Sequence, residues 1–114
     1  MQRKATRNTR GPSADEKRFA GWVKEHDCIQ CGRPGPSIVD HMYGATFKRN
    51  KVLIGHRALL PLCVECDEVK TLGSARAYLN HFGETQAQSW VRLVEHCHFD
   101  IPQDEYEAIM DWNR

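Results

Sequence analysis

Five cysteines occur in the 114 residues, and four of them form two Cys-x-x-Cys pairs, Cys28/Cys31 and Cys63/Cys66, with 31 residues between the pairs. Each pair can turn two thiolates toward one ion. Together they predict a tetrahedral four-cysteine Zn²⁺ site with S–Zn distances of about 2.3 Å. Four sulfurs leave no open coordination position, so the predicted role of this zinc is structural. A redox Cys-x-x-Cys would instead come singly in a βαβ frame, which this chain lacks. The fifth cysteine, Cys97, stands between His96 and His98, but it falls on an apolar stripe and reads as a small core residue.

Other chemistry-bearing residues lie inside the zinc frame. Asp40-His41 puts a carboxylate next to an imidazole. Lys48, Arg49, Lys51 and Arg57 crowd the following stretch, with His56 among them, and the first ten residues carry Arg3, Lys4, Arg7 and Arg10 and no acid. The net charge of +1 hides this distribution. Residues 1–60 hold 12 Lys/Arg against 5 Asp/Glu, and residues 61–114 hold 4 against 10. A basic first half points to a polyanion, with phosphate contacts from the loop cations and the arm.

These residues need elements to position them. Residues 1–12 read as a basic arm, and 13–114 as one domain. Ser13-Ala14-Asp15-Glu16 is a capping-box pattern that opens a helix to about Glu25, with Phe19, Trp22 and Val23 on one face. Arg33-Pro34-Gly35-Pro36 is a turn. Ser37–Met42 reads as a strand, Tyr43–Gly55 as a polar basic loop in which Val52-Leu53-Ile54 can pack inward, and Arg57–Leu62 as a second strand. Pro61 marks an edge or bulge. Cys63–Leu72, Ser74–Phe82, Glu84–Cys97 and 103–112 read as helices. Their predicted inward faces are Ala75, Tyr78, Leu79 and Phe82, then Ala87, Trp90, Val91, Val94 and Cys97, then Tyr106, Ile109 and Met110.

The fold class is therefore α+β. With 40% hydrophobic residues and a mean hydropathy of −0.63, the composition is that of neither a membrane protein nor a disordered chain. No run approaches the roughly 20 apolar residues of a membrane span. The basic start is followed by no hydrophobic segment, which predicts a chain kept in a reducing cytosol.

The order strand, Asp40-His41, loop, strand and a helix opened by Leu62-Cys63-Val64-Glu65-Cys66-Asp67 resembles the HNH endonucleases of the ββα-metal (His-Me finger) class. Their helix signature is Leu-Cys-x-x-Cys-His-x-x-x-Lys. Leu62, Cys63 and Cys66 match it, Lys70 falls one place early, and Asp67 stands where the family has His. Pro61-Leu62-Cys63 and the small size are most similar to compact phage members, including the recombination-enhancement Ref group. The likeness spans about residues 26–72.

The resemblance implies a ββα-metal core over about 37–72, with an N-terminal helix and two or three C-terminal ones. It implies metal-dependent hydrolysis of DNA phosphodiesters with little sequence specificity. Whether a recombinase or other DNA-processing protein presents the DNA is left open by the sequence, as is the oligomeric state, for which a monomer is the favoured expectation. His41 would be the general base. Asp40 and Asp67 would hold Mg²⁺ or Mn²⁺, for which a carboxylate is a suitable hard ligand. The middle Asn of the family pattern has no direct match. His56 is the first candidate, either holding the loop or approaching metal or phosphate, and Asn50 is the second. A zinc-stapled nucleic-acid module without catalysis, or a protein-interaction domain using the acidic C-terminal helices, are the alternatives.

Overall fold

Leu59-Leu60-Pro61-Leu62 is the apolar centre around which the chain is organised. In the computed structural model, which describes residues 11–42, 47–49 and 52–112, all four of these residues are buried as strand β4 (Leu59–Leu62). β4 pairs antiparallel with β1 (Ile38–His41), in the register Ile38↔Leu62, Val39↔Pro61, Asp40↔Leu60 and His41↔Leu59. Met42 N–H extends the ladder by donating to Ala58 C=O at 2.8 Å. Pro61 cannot donate to a ladder, and an edge position tolerates that. Its carbonyl accepts instead from Ile29 N–H at 2.9 Å, which docks the first cysteine knuckle onto the sheet.

Helices close over this pair. α1 (Ala14–Glu25) starts on the predicted capping box: Ser13 Oγ accepts from Glu16 N–H, and Glu16 accepts from Ser13 N–H at 2.7 Å. Its Phe19 and Val23 are fully buried. α2 (Val64–Leu72) follows β4 directly and packs against both strands. α3 (Ala75–Phe82) is capped by Ser74 and ends at Gly83, whose φ of 79° lies in the left-handed region that glycine enters without steric cost. α4 (Gln86–Val94) opens on a second capping box, Thr85 with Gln88. α5 (Gln103–Trp112) covers β3.

Four expectations are corrected. The stretch read as a basic loop contains a second antiparallel pair, β2 (Phe47–Arg49) with β3 (Val52–Ile54), seated by the fully buried Ile54. α4 ends at Val94 rather than Cys97, because His96 and Cys97 N–H bond three residues back, to Leu93 and Val94, and tighten the chain out of the helix. The buried face of α4 is rotated to Ala87, Ser89, Trp90 and Leu93, with Val91 and Val94 only half-buried. In α3, Leu79 is exposed and Tyr78 alone is fully buried. Among the described residues there are thus five helices and two two-stranded sheets.

Ser89 is buried because it joins a polar network. Gln30 Nε2 lies 2.7 Å from both Tyr78 Oη and Ser89 Oγ and 3.0 Å from Glu84. Ser89 Oγ also donates to Glu84, and Arg92 clamps Glu84 at 2.6 and 2.9 Å. Burial pushes the Glu84 carboxyl up, but bonds from Arg92, Ser89 and Gln30 outweigh it and hold it below its usual value. Stability from Glu84 is therefore full above about pH 4.5 and is lost as pH falls through the lowered value. The urea midpoint of Glu84→Gln should lie below wild type at neutral pH, and the gap should close as pH drops below 4.5.

Candidate metal centre and adjoining carboxylate pair

The first knuckle is a tight turn. Gly32 has φ 77°, its N–H donates to Cys28 C=O, and Cys28 N–H donates to Arg33 C=O, both at 3.0 Å. This aims the Cys28 and Cys31 thiols the same way. The second pair opens α2: Cys63 is the N-cap with extended backbone and makes no side-chain capping bond, so its sulfur is free to ligate, and Cys66 lies in the first turn. The four Sγ atoms all fall within 4.8 Å of one another. Cys31 and Cys63 Sγ are 3.6 Å apart, close to the roughly 3.8 Å edge of a tetrahedron with 2.3 Å metal–sulfur bonds. The four cysteines can hold a structural metal such as zinc.

The electrostatics fit that use. Burial resists ionisation of Cys28, yet backbone N–H groups around Cys31, Cys63 and Gln30 bring its thiol down to about 7. Burial, followed by the neighbouring sulfurs of Cys63, Cys28 and Cys31, pushes the Cys66 thiol up. Without a cation the cluster resists gathering several thiolates, and a divalent ion reverses that cost while the N-terminus of α2 adds its positive end. Cys97 stays outside: it is half-buried and its Sγ faces Phe99 C=O at 3.5 Å, as a core residue would.

One helical turn beyond the sulfurs, α2 meets β1. Asp40, on β1, is 20% exposed, and its Oδ2 lies 3.3 Å from Lys70 Nζ. That oxygen is buried and makes no well-aligned hydrogen bond, which leaves it a free lone pair. Asp67 lies beside it. Contact with the Asp40 carboxyl, then burial and the Asp40 charge, push the Asp67 carboxyl up to about 6. A carboxyl raised by a carboxylate neighbour is one that a cation between the two would relieve. Thr71 Oγ1 reaches Asp67 Oδ1 at 3.4 Å. His41, the next residue of β1, has an exposed side chain, and its carbonyl accepts from Lys70 Nζ at 2.8 Å.

Comparison with protein-family models, with curated proteins and with solved structures finds no match for this chain. The site is therefore read from its own geometry. Asp40 and Asp67 come together at the β1–α2 junction, and His41 follows Asp40 in β1. His56 is half-buried in the bend between β3 and β4, which Gly55 enters at φ 124°.

Arg57 is a correction: its guanidinium is 11% exposed and binds Glu105 at 2.7 and 2.9 Å and Glu16 at 3.4 Å, while its carbonyl accepts from Trp90 Nε1. It faces the interior, joining α1, α4 and α5, with its guanidinium engaged by two carboxylates and not presented on the surface. The backbones of Lys48 and Arg49 pair with Leu53 and Val52 in the second sheet. Lys51, Asn50, Arg3, Lys4, Arg7 and Arg10 lie outside the described residues.

Two residues were missed. Gln30 ties the knuckle to α3 and α4, and nothing in its local sequence marks it. Lys70 had a usable signal: it follows Asp67 by three positions and Cys66 by four, so all three share one face of α2.

Proposed function

We propose that this chain is a metal-dependent DNA endonuclease with a ββα-metal core formed by β1, β4 and α2. The observation that carries the reading is the meeting of Asp40 and Asp67, from two elements, with the exposed His41 next to Asp40 in the chain and Cys66 of the cysteine cluster next to Asp67. Mg²⁺ and Mn²⁺ suit such a pair, because these ions are commonly held by one or two carboxylates and fill the remaining positions with water and phosphate oxygen. When bound, the ion would stabilise negative charge developing on the phosphate and the leaving oxygen.

The protein's own residues do the rest. His41, an imidazole exposed at the end of β1, accepts the proton of the attacking water. Asp40 and Asp67 would hold the cation. Lys48, Arg49, Lys51 and the basic arm supply contacts to the sugar-phosphate backbone, which give salt-dependent affinity with little sequence preference. The expected products carry 5′-phosphate and 3′-hydroxyl ends. The basic first half of the sequence is the part proposed to meet the DNA. A recombinase or similar protein that presents the DNA is part of the same reading.

Plasmid and single-stranded DNA incubated with purified protein and Mg²⁺ or Mn²⁺ test it. Wild type should cut. His41→Ala should fall by roughly 100- to 10,000-fold, and Asp67→Ala should lose metal-dependent cutting, both with zinc content unchanged. Cleavage that survives His41→Ala removes His41 as the base. DNA binding without cutting at any metal concentration would make the chain a zinc-stapled binding module instead.

A further inference from the structure

Lys70, at the β1–α2 junction, is left unused by the proposed chemistry. Its side chain is only 6% exposed. Burying an ammonium that deeply is costly unless its donors are matched and its charge is opposed. Both conditions are met by two adjacent residues of β1: one N–H goes to the His41 carbonyl at 2.8 Å, and the charge sits 3.3 Å from Asp40 Oδ2. The two contacts have opposite consequences. The first pins the peptide from which the His41 imidazole projects. The second places a fixed positive charge next to an oxygen that a divalent cation would also use.

Resting on the endonuclease reading, we infer that Lys70 is a positioning residue that fixes His41 for proton abstraction at the expense of metal affinity. Lys70 acts through His41 and Asp40 and touches neither phosphate nor water. A side chain kept only to support the fold would lower metal binding and rate together when removed. One that opposes the metal while holding the base separates them.

Lys70→Met keeps the apolar stem and removes the charge and the donors. Binding of Mn²⁺ to the full-length zinc-loaded protein is followed by electron paramagnetic resonance of the free ion, and single-turnover cleavage is measured at saturating Mn²⁺. Lys70→Met should bind Mn²⁺ about tenfold more tightly, because a positive charge has left the site. Its cleavage rate should fall on the order of 100-fold, because the base has lost its anchor. Lys70→Arg, which keeps a buried cation, should stay within about twofold of wild-type Mn²⁺ affinity while cutting more slowly than wild type.

Weaker or unchanged Mn²⁺ binding in Lys70→Met overturns the inference, as does an unchanged rate. So does a parallel fall of affinity and rate in both variants, which would mark Lys70 as structural support. If wild type binds Mn²⁺ but cuts no DNA, the endonuclease reading fails by itself. The affinity comparison then still decides whether Lys70 opposes the metal.

Discussion

Chelating the metal, or replacing Cys63 with serine, is expected to abolish cooperative unfolding altogether. The reasoning is one of magnitudes. Apparent zinc-binding free energies of structural sites run to about 10–16 kcal/mol at neutral pH, while whole domains are stable by about 5–15 kcal/mol. In this chain the four sulfurs join the knuckle after α1 to the first turn of α2, and the knuckle is held otherwise by Ile29 on Pro61 and by Gln30 on Tyr78 and Ser89. Both attachments depend on the knuckle's shape. Stripping zinc with a strong chelator should erase near-ultraviolet circular dichroism and the calorimetric transition, and added zinc should restore both. A metal-free protein that melts cooperatively at the wild-type temperature would show that the cysteines hold no structural ion.

Arg57→Met is expected to produce the largest loss of stability away from the cysteines, about 3–5 kcal/mol. Glu16 is 2% exposed and Glu105 has a side chain 13% exposed, and Arg57 is the cation between them. Removing it leaves two buried carboxylates facing each other without that charge. For a domain of this size the melting temperature should drop by more than about 10 °C. Combining Arg57→Met with Glu105→Gln should recover part of the loss, because one of the stranded charges is then gone. Because Arg57 points inward, the salt dependence of the proposed DNA binding should be the same in wild type and in an Arg57→Gln protein that remains folded. A slope reduced by about one phosphate contact would return Arg57 to the DNA surface.

What could be read from the chain in advance was whatever is encoded locally. Ser13 and Glu16 announce their helix because a capping box closes within four residues, and the cysteine spacing announces its cluster because ligand geometry repeats within each pair. Asp40 and Asp67 were paired only by the likeness to a known motif, and the structure brings them together. What escaped was set by distant partners. Arg57 looks like one more cation in a basic stretch, and its carboxylates are 41 and 48 residues away. Ser89 looks like a solvent position on α4, and the Tyr78 and Gln30 groups that bury it belong to other elements. The β2–β3 pair escaped because three-residue strands are too short for an alternating pattern to show, particularly around Lys48 and Arg49.

The placing of the sulfurs also bears on how fast the chain can fold. The Cys31–Cys63 contact sits beside the Ile38↔Leu62 end of the β1–β4 ladder. Pairing these strands from an open chain requires closing a long loop before any contact rewards it, and that search slows folding. An ion captured first by the two cysteine pairs shuts that loop at one end. The remaining strand pairs would then form in sequence from Leu62 toward Leu59, like a zip whose slider is already seated, so that a zinc ion held there would act on the rate of folding as well as on its end point.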